Sequence, residues 1–209
     1  MRIDRSRLRL YLVTPPGVDG RPDYPAIVEG ALRGGTTAVQ LRMKGAPVAA
    51  ALELGGQLRT ITQRAGALFI VNDRLDIALA LGADGIHLGE DDLPVEIARR
   101  LAPDLVIGAT IRDANEARRA IEAGASYLGF GAVFPSRTKS DSPVGGIDEL
   151  RAVVAAAEPV PVVGIGGIGP ADFGKVMATG AAGAAVVESL DFRDGAGAER
   201  GAGEFGSGR

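Results

Sequence analysis

Ala38-Val39-Gln40-Leu41-Arg42-Met43-Lys44 alternates without a break. Successive side chains of a strand point to opposite faces, so Gln40, Arg42 and Lys44 share one face and Val39, Leu41 and Met43 the other. The apolar face should pack on helices. The polar face then points inward, towards the mouth of a closed sheet. Two cations and an amide on one inner face suit an anionic group such as a phosphate. The plainer alternative is a solvated edge with exposed charges.

Seven more strand-length apolar runs flank this one: Leu8–Thr14, Ala67–Asp73, Gly85–Glu90, Val106–Ile111, Tyr127–Phe134, Pro161–Gly167 and Gly183–Leu190. Amphipathic stretches lie between them, at Tyr24–Leu32, Val48–Ile61, Leu75–Leu81, Val95–Leu101, Ile147–Val154 and Ala171–Ala178. Another opens at Asp113. Gly34-Gly35, Gly82, Gly124 and Gly180 follow helical patterns and suit helix C-caps. Strands alternating with helices predict a parallel sheet. Eight of them predict an α/β chain folded as a single-domain (β/α)8 TIM barrel, with a doubly wound open sheet as the competitor. Residues 1–190 form the expected barrel. Residues 191–209 are glycine-rich, with only Phe192 and Phe205 large and apolar, and predict a flexible tail. The eighth helix is therefore expected to be missing or degenerate, and apolar surface left bare would favour a homodimer.

Composition removes several function classes. Among 209 residues there is no cysteine, which excludes disulfides, thiolate zinc sites and thiol nucleophiles. One histidine, His87, excludes a multi-histidine metal site. A net charge of −3 lacks the footprint of a general nucleic-acid binder. No apolar run is long enough for a bilayer, and the charged start lacks a signal-peptide core. The expectation is a soluble cytoplasmic protein with neither membrane nor nucleic-acid partners.

In such barrels chemistry sits at the C-terminal ends of the strands. The third strand ends in Asn72-Asp73-Arg74 and the fourth in Gly89-Glu90-Asp91-Asp92. Asp73 and Asp92 could each be a helix cap. Carboxylates above neighbouring strands could also share one ion, and Mg²⁺ typically takes one or two carboxylates plus substrate phosphates and water. Beside Arg42 and Lys44 they suggest a pyrophosphate–Mg²⁺ site. His87 reads as a lumen histidine held by hydrogen bonds. Thr110 places a hydroxyl at the rim. The loop Ser136-Arg137-Thr138-Lys139 could fold over an anion, and Gly164-Ile165-Gly166-Gly167 before a helix offers backbone N–H groups to a phosphate.

Together, Gln40–Lys44, Val71–Arg74, Gly85–Asp92, Gly129–Lys139 and Gly164–Ile168, in this order and spacing, resemble the thiamine-phosphate synthase family, related to a thiazole tautomerase group. The resemblance runs from about Leu8 to about Leu190. It implies a transferase that joins 4-amino-5-hydroxymethyl-2-methylpyrimidine diphosphate to a thiazole ethyl phosphate, giving thiamine phosphate and pyrophosphate. By the family pattern Gln40, Arg42, Lys44, Asn72, Thr110 and Lys139 hold the pyrimidine diphosphate, and Arg42, Lys44 and Lys139 neutralise the departing charge. Asp73 and Asp92 hold Mg²⁺. Ser136, Thr138, Gly167 and backbone near Leu190 hold the thiazole phosphate. This chain has Glu90, Thr110 and Ser136 where the family usually has Gln, Ser and Thr, and Glu188 where it usually has Ser. The tautomerase group usually has a histidine where this chain has Arg112. The alternatives are a tautomerase-like isomerase and a non-catalytic phosphate-ligand-binding homologue.

Overall fold

The computed structural model describes residues 3–15, 23–135, 144–187, 190 and 193–206. Each of the eight runs contributes a strand: β1 Leu10–Val13, β2 Ala38–Leu41, β3 Leu68–Asn72, β4 Gly85–Leu88, β5 Val106–Ile111, β6 Tyr127–Gly131, β7 Val162–Ile165 and β8 Gly183–Val186. All pair in parallel with their sequence neighbours, and β8 pairs with β1 to close the barrel. The open-sheet competitor is thereby set aside.

Alternation divides the apolar residues between two cores. Val39, Leu41, Phe69, Val71, Ile86 and Leu88 face the helices. Tyr11, Val13, Ile70, Val106, Tyr127 and Val163 fill the lumen. The parallel register sets lumen neighbours: Val13 lies opposite Gln40, Asn72 opposite His87, and His87 opposite Gly108.

The helices of the outer ring are α1 Tyr24–Arg33, α2 Val48–Ala65, α3 Leu75–Ala80, α4 Val95–Leu101, α5 Ala114–Glu122, α6 Gly146–Ala157, α7 Pro170–Met177 and α8 Gly195–Gly206. Local chemistry starts and stops them. Asp113 accepts from the backbone N–H groups of Asn115 and Glu116, at 2.7 and 2.8 Å, and so caps α5. Gly124 follows α5 with φ 101°, a left-handed value suited to glycine.

The eighth helix corrects the expectation of a missing one and of a flexible tail across residues 195–206. Asp194 accepts from Gly197 N–H at 2.6 Å and starts it. Its lack of large side chains is what lets it dock. A Cβ on Gly30 would overlap the Gly195 carbonyl, and one on Gly34 would come within 2.7 Å of Ala202 Cβ. The backbones of α1 and α8 approach closely because nothing stands between them. Phe205 is fully buried and meets Phe173 edge-on, with ring centroids 5.5 Å apart. Burying that ring contributes about 1.5–3 kcal/mol. This helix covers the surface on which the homodimer expectation rested.

Candidate active site

The polar residues expected at the mouth leave the sheet just as the strands end. Gln40 is the last lumen-facing residue of β2 and is buried. Arg42 follows the strand. Its backbone N–H donates to Thr14 Oγ1 at 2.8 Å, which ties the turn to the end of β1. Lys44 extends across to β3, its Nζ 3.1 Å from Asp73 Oδ2.

Asp73 is held in an unusual conformation. Its φ is 63°, in the left-handed region that few residues other than glycine adopt. Its backbone N–H donates to the His87 carbonyl at 2.9 Å, which fastens this residue to β4. Such strain persists where surroundings over-determine it, and it concentrates at functional sites. Burial first, and then the neighbouring Asp92, push the Asp73 carboxyl above its ordinary range, against the opposing pull of Lys44. The two acids therefore meet above β3 and β4. Asp92 Oδ2 accepts from Gly89 N–H at 2.7 Å, and a Cβ at Gly89 would come within 2.9 Å of that oxygen.

Neither acid caps a helix. The residue ahead of α3 is Arg74 and that ahead of α4 is Pro94, and neither end carries a side-chain cap. The plainer alternative for both carboxylates is thus removed. Two hard carboxylates side by side, with one lysine opposing them, suit a divalent cation that takes its other ligands from phosphate and water. No group of three or more His, Cys, Asp or Glu able to hold a metal exists among the described residues.

Sequence reasoning missed the floor of the site. Gln40 Nε2 donates to Tyr11 OH at 2.9 Å, and the Tyr11 and Tyr127 hydroxyls are 2.8 Å apart. Tyr127 OH lies 2.9 Å from His87 Nδ1, and His87 Nε2 lies 3.0 Å from Thr110 Oγ1. His87 is therefore the hydrogen-bonded lumen histidine expected. Glycines make its slot: a Cβ on Gly108 would overlap the Tyr127 ring, and one on Gly129 would come within 2.9 Å of His87 Cε1. The available signal was the inward alternation of Tyr11 and Tyr127, the latter opposite Gly108.

Asn72 ends β3 beside this group. Gly167 lies on the opposite side of the mouth, after β7, exposed and with φ 63°. Leu190 is buried in the outer core. Ser136, Thr138, Lys139 and Glu188 lie outside the described residues. Arg112, where a tautomerase histidine was sought, is engaged by Glu90 at 2.6 Å and Glu116 at 3.2 Å.

The family described as thiamine monophosphate synthase matches residues 10–190. The thiamine-phosphate synthase of Pyrococcus horikoshii is 47% identical over 186 residues, covering 89% of this chain and 88% of its own. That of Moorella thermoacetica is 46% identical over 184 residues, covering 87% of each. The solved thiamine phosphate pyrophosphorylase from Pyrococcus furiosus superposes with a TM-score of 0.85 at 39% identity, covering 96% of this chain and 95% of that one.

Proposed function

Because the chain belongs to the thiamine monophosphate synthase family, we propose a division of labour among the residues at its mouth. The enzyme is a transferase of thiamine biosynthesis. It condenses 4-amino-5-hydroxymethyl-2-methylpyrimidine diphosphate with a thiazole ethyl phosphate, giving thiamine phosphate and pyrophosphate.

The bond between the pyrimidine methylene carbon and the diphosphate oxygen breaks, and its electron pair leaves with the diphosphate. The thiazole nitrogen supplies the pair for the new C–N bond. Stabilising the departing charge is the main demand on the protein. Arg42 offers a planar fork to phosphate oxygens, and Lys44 a compact charge beside it. Lys139 adds a third cation. Gln40, Asn72 and Thr110 hold the pyrimidine end. Ser136, Thr138, Gly167 and backbone near Leu190 hold the thiazole phosphate. Asp73 and Asp92 would hold Mg²⁺, which when bound supplies Lewis-acid neutralisation of the diphosphate.

The observation that carries this reading is the Lys44–Asp73 contact at 3.1 Å with Asp92 alongside, at the end where barrel chemistry occurs. The test is incubation with both phosphorylated substrates, with and without Mg²⁺. Thiamine phosphate and pyrophosphate should form in equal amounts and only with the cation. No thiamine phosphate, where a control enzyme turns over, contradicts the reading.

No helix among the described residues is long and apolar enough to cross a membrane; the support for a cytoplasmic setting is the likeness to biosynthetic enzymes. The homodimer remains part of this proposal. Its support is now the exposed Leu79 and Leu101, on α3 and α4. Light scattering at the mass of one chain would remove it.

A further inference from the structure

We propose that the bonds from Gln40 through Tyr11, Tyr127 and His87 to Thr110 form a one-way relay that selects an aminopyrimidine over its oxo counterpart. Tyr11, Tyr127 and His87 act in it as positioning residues. The inference rests on the reading of Gln40 and Thr110 as pyrimidine contacts.

The direction follows from counting protons. An amide NH₂ can only donate, so Gln40 Nε2–H gives its proton to Tyr11 oxygen. Tyr11 is buried, so its own proton needs an acceptor, and the one in reach among the described contacts is the Tyr127 oxygen 2.8 Å away. Tyr127, with one proton and that oxygen already accepting, donates to His87 Nδ1. In the neutral imidazole the one proton then belongs on Nε2, which donates to Thr110 Oγ1. The Thr110 hydroxyl proton is left for the mouth. Burial pushes both phenols well above their ordinary range, so each keeps its single proton and the count holds.

The two ends of the relay are consequently opposite in kind. With Nε2 engaged, the amide atom Gln40 has left for a ligand is Oε1, which can only accept, whereas Thr110 has its O–H left to donate. A 4-aminopyrimidine donates from its amino group and accepts at its ring nitrogens, so it matches both. A 4-oxopyrimidine puts an acceptor where the amino group was and a donor on the adjacent ring nitrogen. To receive it, the Gln40 amide must turn over. Its oxygen would then accept from Tyr11, and every bond to Thr110 would have to reverse. The relay makes that a concerted change of five residues rather than a single side-chain flip. Both uncharged, the buried Gln40 and the exposed Thr110 at the far end of the relay are placed to read the ring, which leaves the cations Arg42 and Lys44 for the diphosphate.

His87 is the one histidine of the chain, so a ¹⁵N spectrum of the imidazole reads its tautomer with no assignment problem. The wild-type protein should show a protonated Nε2 and an unprotonated, hydrogen-bonded Nδ1. In Tyr127→Phe, Nδ1 loses its donor and the spectrum should move to a mixture of tautomers. The preference in kcat/KM for the 4-amino over the 4-oxo pyrimidine diphosphate should fall about tenfold, the worth of one hydrogen bond. Tyr11→Phe cuts the relay one bond further away. It should loosen the tautomer in the same sense, and it serves if Tyr127→Phe does not fold. A wild-type proton on Nδ1, or spectra and preference unchanged in a folded variant, would overturn the relay. A wild-type protein that makes no thiamine phosphate yet keeps the Nε2–H tautomer would instead sink the functional reading.

Discussion

Lys44, Asp73 and Asp92 meet above β2, β3 and β4 through charged side chains, whereas α1 and α8 meet through residues that have almost none. At the mouth, position depends on reach: a lysine crosses from one strand end to the next, and a strained Asp73 backbone turns its carboxyl towards Asp92. At the helix seam, position depends on absence, since Gly30 and Gly34 leave room for the opposite backbone. Removing a group should therefore damage the mouth, and adding one should damage the seam. Function and stability should separate along the same line.

The largest stability effect falls on the one large side chain by which α8 docks on α7. Phe205→Ala should cost about 3–5 kcal/mol, lowering the melting temperature by about 2–4 °C for each kcal/mol in a chain of this size. A melting temperature within a degree of wild type would show that α8 is not part of the cooperative fold. Gly34→Ala adds one methyl against Ala202 and Glu199. Calorimetry should find a loss of about 1–3 kcal/mol, with kcat and KM unchanged at temperatures where the protein is folded. A stabilising effect there would mean that the helices are not in close contact. Smallest of all is the ion pair spanning the seam, Arg33 to Glu199 at 2.8 Å, which is about half exposed on both sides. Glu199→Gln should change stability by only about 0.2–1 kcal/mol, an effect that fades with salt. A larger loss would move the seam's stability from packing to charge.

The same contrast explains which features are legible in the sequence. Alternation in Ala38–Lys44 places Gln40 in the lumen and Met43 against the helices, as expected, because period two is a direct consequence of strand geometry. The strand itself ends at Leu41, earlier than the pattern suggests. Arg42, Met43 and Lys44 keep the alternation while leaving the ladder, and hydropathy does not register that departure. Asp73 and Asp92 were legible as acids at strand ends but ambiguous with helix caps. Only geometry separates a carboxylate that accepts from its helix from one that faces its neighbour. Tyr11 and Tyr127 sat within apolar runs, where a hydroxyl is indistinguishable from core until its partner is located. In α8 side-chain size is a poor guide to burial, because a helix rich in glycine and alanine buries backbone instead.

The charge cluster at the mouth is the point on which the account stands, and Asp92→Ala probes it most directly. Its rate should be followed across a Mg²⁺ titration, with the melting temperature as control. The account predicts a fall in kcat of about 10²–10³-fold, the scale of one lost transition-state electrostatic contact. It also predicts a higher Mg²⁺ requirement, with a melting temperature close to that of the wild type. A folded variant with wild-type turnover and an unshifted Mg²⁺ midpoint would contradict it.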